Sequence, residues 1–174
     1  MPNSDKTTIE ATATTQQFSN AQPVWHLVCL CVLTLGVYQI FWFYRHWKFM
    51  MQHKQLNINP LARAIFGIFF VYPFFKNVHS IAEEEGYEKQ YTDGMLATFY
   101  IVLCFVSALP DPYSMVGLFS FVPLIEGQKA LNFYWKKQQP DLPMRTHFSK
   151  WEIVGMIFGG ILLASVVIGT FFPG

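Results

Sequence analysis

Glu126, Gln128, Lys129 and Asn132 carry polar chemistry into the end of an apolar stretch. Glu126 and Lys129 are three residues apart, a spacing that lets a carboxylate and an ammonium pair on one helix face. Pro123, just upstream, lacks an N–H and so leaves the carbonyl of Phe119 without its helical donor. If Trp135 marks the headgroup level of a bilayer, helix rise places Glu126 about 13 Å deeper. An ionisable group at that depth suits proton or ion handling. The competing reading sets the interface at Lys129, with both charged side chains reaching out to it.

No other constellation suggests catalysis, so no catalytic residue is assigned and the chain is not expected to be an enzyme. The sequence has no His-Glu-x-x-His pair, no Gly-x-Ser-x-Gly elbow and no phosphate-cradling glycine loop. Cys29, Cys31 and Cys104 lie inside apolar runs and read as small packing residues. The five histidines show no ligand spacing; His46 and His53 could share a helix face, but nothing joins them, so no metal is expected. No cofactor is implied either. A net charge of +1 argues against nucleic acid as a partner.

The elements that would position the polar set are outlined by charge. Five stretches lack Asp, Glu, Lys and Arg: Ala11–Tyr44, Ala64–Phe75, Gly94–Leu109, Tyr113–Ile125 and Ile153–Gly174. Each charge at a bilayer centre costs about 2.5–3.5 kcal/mol, so the layout reads as a membrane topology. Residues 1–22, rich in Thr, Ser, Asn and Gln, read as a disordered polar tail, and 23–174 as a single membrane domain. The expected fold is an all-α integral membrane protein. It would be a small bundle of four transmembrane helices, the central two a short hairpin, plus one embedded or interfacial helix.

Val24–Tyr44 and Ile153–Phe172, at 21 and 20 residues, are long enough to cross about 30 Å of hydrocarbon. Gly94–Leu109 and Tyr113–Ile125, with 16 and 13, flank Pro110-Asp111-Pro112 and form the hairpin. Leu61–Ala82 is the embedded helix, started by Asn59-Pro60, kinked at Pro73 and ended near Gly86. If it does not cross, eleven of twelve basic residues fall on one side. The positive-inside rule then makes 45–93 and 136–150 cytoplasmic, with both termini periplasmic. Trp42, Tyr44, Arg45, Trp47, Arg63, Tyr134, Trp135 and Trp151 would anchor the inner boundary.

Ser149 and Glu152 fit a capping box that starts the last helix. That helix carries Gly155-x-x-x-Gly159, Gly160-x-x-x-Ala164 and Ser165-x-x-x-Gly169. Small residues at this spacing allow close helix approach, either within one chain or between copies.

Thr34-Leu35-Gly36-Val37-Tyr38, with Trp42 and Tyr44-Arg45, resembles the opening signature of a bacterial inner-membrane family known only as a domain of unknown function. Asn59-Pro60 with Arg63-Ala64-Ile65-Phe66 and Tyr72-Pro73-Phe74-Phe75 is similar to its second block, and Gln128–Asn132 with Tyr134-Trp135 to its third. The Phe148-Ser149 and Glu152 start of the last helix is similar as well. The resemblance spans Val24–Gly174 and implies a small multi-pass protein of the bacterial cytoplasmic membrane, with no activity to carry over. The expected partners are the lipid bilayer and a second copy or another membrane protein. Two functions follow: an accessory module packing through small-residue faces, or a transporter or channel subunit built on the Glu126 set.

Overall fold

The computed structural model describes residues 19–110, 113–144 and 146–171, apart from the side chains of 166, 167, 170 and 171. Most of the expected tail, and Asp111-Pro112 of the expected hairpin turn, lie outside the described residues. Among the described residues seven α-helices and one 3-10 helix follow in order: α1 Val24–Leu33, α2 Val37–His53, α3 Pro60–Ile65, α4 Gly67–Glu83, α5 Asp93–Val106, the 3-10 helix Tyr113–Phe121, α6 Val122–Gln138 and α7 Lys150–Phe171. Among the described residues there is no strand, only an isolated bridge between Ser19 and Met144.

The all-α bundle stands, but the four transmembrane helices do not: no helix among the described residues is long and apolar enough to cross a membrane. For the first helix, the embedded helix and the central hairpin the physical reason is local. The stretch Val24–Tyr44 breaks at Thr34–Gly36, where Leu35 and Gly36 both take positive φ (52° and 85°). Gly36, with no Cβ, adopts that conformation freely. The Gly36 N–H reaches back to the Cys31 carbonyl at 2.8 Å, and the Thr34 hydroxyl accepts the Tyr38 N–H at 3.0 Å. Leu61–Ala82 divides at Phe66 into α3 and α4. The central hairpin pairs a 14-residue α5 with a 3-10 helix.

Capping residues set the helix starts. Asn59 accepts from the Leu61 and Ala62 N–H groups at 3.0 and 3.1 Å, ahead of Pro60. Thr92 accepts from Met95 N–H at the start of α5. The α4 helix ends where the Tyr87 N–H bonds the Ala82 carbonyl at 3.0 Å, past Gly86.

The core is aromatic. Trp42, Phe43 and Trp47 of α2 meet Phe74 and Phe75 of α4, all fully buried, with Leu27 and Cys31 of α1 beside them. Trp42–Phe43, Phe43–Phe74 and Trp47–Phe74 are edge-on pairs with centroids 4.8–5.6 Å apart. The α6 helix lays Leu124, Ala130 and Leu131 into this cluster. The 3-10 helix packs on α5 through Gly117, whose Cα side abuts Ser107 so closely that no Cβ would fit.

Candidate functional site

The α6 helix turns two polar faces in different directions, and the four polar residues divide between them. Gln128 and Asn132 are one turn apart. Gln128 is fully buried and accepts the Trp42 indole N–H at 2.6 Å. Its amide donates to Asn132 Oδ1 at 2.8 Å and to the Gln22 carbonyl at 3.1 Å. Asn132 donates to that same carbonyl at 2.8 Å and accepts the Gln22 N–H at 2.9 Å. The Gln22 side chain in turn accepts from Arg45 at 2.6 Å and donates to the Tyr38 hydroxyl at 2.9 Å. Gln128 and Asn132 therefore fasten the segment ahead of α1 to the core. Their polar atoms are used up in doing so.

Glu126 and Lys129 face the other way. The Glu126 carboxylate is buried, with 5 % side-chain exposure, and pairs with the exposed Lys129 at 3.4 Å. Tyr87, in the loop after α4, donates its hydroxyl to Glu126 Oε1 at 2.6 Å. Burial, and then the bond to Glu126 and its charge, push the Tyr87 phenol well above its usual range, so it stays a donor. This carboxylate borders a cavity of about 310 Å³ between α5 and α6, walled by Met95, Phe99 and Val122. A carboxylate with two donors beside an open apolar cavity can exchange a proton or hold a cation.

A second polar chain lies behind Tyr87. His79 is fully buried and shares a hydrogen bond of 2.5 Å between Nδ1 and Asp93 Oδ1. Its ring stacks near Tyr87 with centroids 6.4 Å apart. Lys89 pairs with Glu83 at 2.9 Å and lies 3.7 Å from Asp93. The Glu83 bond, and the charges of Asp93 and Glu83, raise the Lys89 pKa. A His–Asp pair is two of the three members of a catalytic triad, but here the imidazole is fully buried. It ties α4 to the start of α5. Sequence reading missed Tyr87, His79 and Asp93 as partners. The only signal near them was Gly86, read as a helix end.

The aromatic and basic residues expected at an inner boundary scatter. Trp42 and Trp47 are core residues, and Tyr134 is buried at 6 % exposure. Arg63 stacks over Trp47 at 4.6 Å, a cation–π contact. Trp135 packs on Phe49 at 4.6 Å. Tyr44, Arg45 and Trp151 are exposed, Trp151 at 85 %. Ser149 and Glu152 exchange the two bonds of a capping box: Glu152 Oε2 accepts the Ser149 N–H at 2.7 Å, and Ser149 Oγ accepts the Glu152 N–H at 3.2 Å. The small residues of α7 also divide. Gly159 presses on Leu33 and Thr34 of the α1 end and Gly155 lies near Thr34, whereas Gly160 and Gly169 face open space and Ala164 is exposed. Among the described residues no group of three or more His, Cys, Asp and Glu could hold a metal ion.

His46 gives a pH-dependent stability. Burial, then the neighbouring Arg45 charge, hold its pKa well below the ordinary 6.5. The unfolded chain takes up a proton near pH 6.5 that the folded chain refuses, so stability falls as the pH drops below that point. The steepest slope for one group is about 1.4 kcal/mol per pH unit. Thermal midpoints of the parent between pH 7 and 5 should fall more steeply than those of His46→Leu. Equal slopes would exclude His46 as the cause.

Comparison of the chain with protein-family models, with curated proteins and with solved structures returned no match.

Proposed function

We propose that this chain is an accessory membrane module: a helical body seated in lipid by its apolar outer faces and locked by its inward polar groups, working as a part of a larger assembly rather than as an enzyme. The observation that carries this reading is the distribution of side chains. Phe69, Phe158, Phe105 and Phe41 are 65–76 % exposed, while Glu126, Gln128, Gln39 and His79 are buried. Water disfavours so much apolar surface, and monomeric soluble proteins rarely expose large contiguous patches of it. Lipid favours it. Seating short helices in lipid requires no single one of them to cross. The location that goes with this reading is the bacterial cytoplasmic membrane that the resemblance implies. The test is extraction of isolated membranes with alkaline carbonate and high salt. The full chain should stay with the lipid pellet; its appearance in the supernatant would overturn the reading.

The buried carboxylate beside a cavity favours a second reading, a proton- or cation-conducting subunit using Glu126. In vesicles carrying a pH-sensitive dye, Glu126→Gln combined with Lys129→Met should abolish any leak that the parent confers, at equal protein content. Equal leak in parent and variant would leave the accessory role alone.

A further inference from the structure

We propose that the groove between α2 and α7 seats an anionic phospholipid of the surrounding bilayer, with its phosphate at Arg45 and Lys48 and an acyl chain running toward Leu162. This rests on the reading that the chain lies in lipid. The groove has a volume of about 700 Å³, within the range of ordinary ligand cavities. Val37, Phe41, Arg45 and Lys48 line it from α2 at successive helical turns, and Glu152, Gly155, Phe158 and Leu162 do so from α7.

The groove has a polar end and an apolar end. The α1–α2 turn lies against Gly155 and Gly159, so Val37 starts beside the middle of α7. Arg45, eight residues on, bonds Gln22 at the start of α1. The neighbouring His26 ring packs on Phe148, just ahead of α7, with centroids 3.8 Å apart. Arg45 and Lys48 therefore share one end with Ser149 and Glu152, and Val37, Phe158 and Leu162 form the other. Helix rise separates Arg45 from Val37 by about 12 Å, an apolar track for a chain.

Charge selects the headgroup. The ionised groups lining the groove are Arg45, Lys48 and Glu152, a net of one positive charge. Glu152 already accepts the Ser149 N–H. A phosphodiester with one negative charge matches that balance. A zwitterionic headgroup would add an ammonium beside two cations.

The experiment is native mass spectrometry of the full chain in detergent with equal phosphatidylglycerol and phosphatidylcholine, beside the carbonate extraction of each variant. The parent should retain phosphatidylglycerol over phosphatidylcholine. Lys48→Glu, an exposed position, should cut that preference by about fivefold or more, the scale of one basic group at an anionic surface. Val37→Asp, at the apolar end, should lower retention of both lipids, while Lys76→Glu, exposed and away from the groove, should change neither. A chain stripped by carbonate overturns the membrane reading. A chain that stays in the membrane but holds both lipids equally, or keeps its preference after Lys48→Glu, or binds lipid unchanged after Val37→Asp, overturns the lipid site alone. So does a lipid-free dimer, which would put a second copy in the groove.

Discussion

Gln128→Leu should destabilise the folded chain by about 2–3 kcal/mol, read as a lower thermal midpoint in mild detergent. Leucine keeps most of the volume and removes every polar atom. The buried Trp42 indole N–H then has lost the acceptor that Gln128 supplies at 2.6 Å. An unsatisfied buried donor costs about 1–3 kcal/mol, beyond the 0.5–1.5 kcal/mol net value of an ordinary hydrogen bond. The other two bonds are partly backed up. The Gln22 carbonyl still receives Asn132 Nδ2 at 2.8 Å, and Asn132 Oδ1 still receives the Gln22 N–H at 2.9 Å. The loss therefore concentrates on Trp42. Asn132→Ala should cost less, about 1 kcal/mol, because it frees the Gln22 segment while leaving the indole satisfied. Gln128→Glu should not rescue: it keeps an acceptor but brings a carboxylate to a fully buried position. Should Gln128→Leu melt with the parent while Asn132→Ala falls, the Trp42–Gln128 bond would not be what holds α2 to α6.

These residues also show what could be read in advance. Local signals act over three or four residues and are visible in a linear string. The capping box of Ser149 and Glu152, the Asn59-Pro60 start and the Glu126–Lys129 pair are of this kind. The break inside Val24–Tyr44 was invisible to a count of charges, because Thr34, Leu35 and Gly36 carry none. Two positive φ angles ended α1 there, and hydropathy does not register dihedrals. The split of the polar set on α6 depended on contacts far along the chain. Tyr87 lies 39 positions before Glu126 and Gln22 lies 110 before Asn132. Trp42 and Trp47 drew an interfacial reading from their Lys and Arg neighbours, yet helix period points them inward while Tyr44, Arg45 and Lys48 stay exposed.

Adjacent glycines on α7 should respond to the same substitution with opposite signs. A Cβ at Gly159 would run into the Leu33 carbonyl oxygen and come within 2.9 Å of Thr34 Cα. Both obstacles are backbone, so neither can swing aside, and α7 must retreat from α1. Overpacking of this kind costs about 1–3 kcal/mol, offset only in part by the helix-propensity gain of about 1 kcal/mol on replacing glycine. At Gly160 a Cβ meets nothing within 4 Å. Gly160→Ala therefore keeps the propensity gain and should be neutral to about 1 kcal/mol stabilising. The pair also separates the two uses of small residues along this helix. If the stripe serves packing within one chain, Gly159→Ala lowers the thermal midpoint and Gly160→Leu leaves the detergent-solubilised mass unchanged. If the open face of Gly160 and Ala164 joins two copies, Gly160→Leu shifts that mass toward the monomer while the midpoint of Gly159→Ala still falls. Because Gly159 also lines the α2–α7 groove, a retreat of α7 should weaken phosphatidylglycerol retention as well. That would link helix packing and lipid binding through one missing side chain.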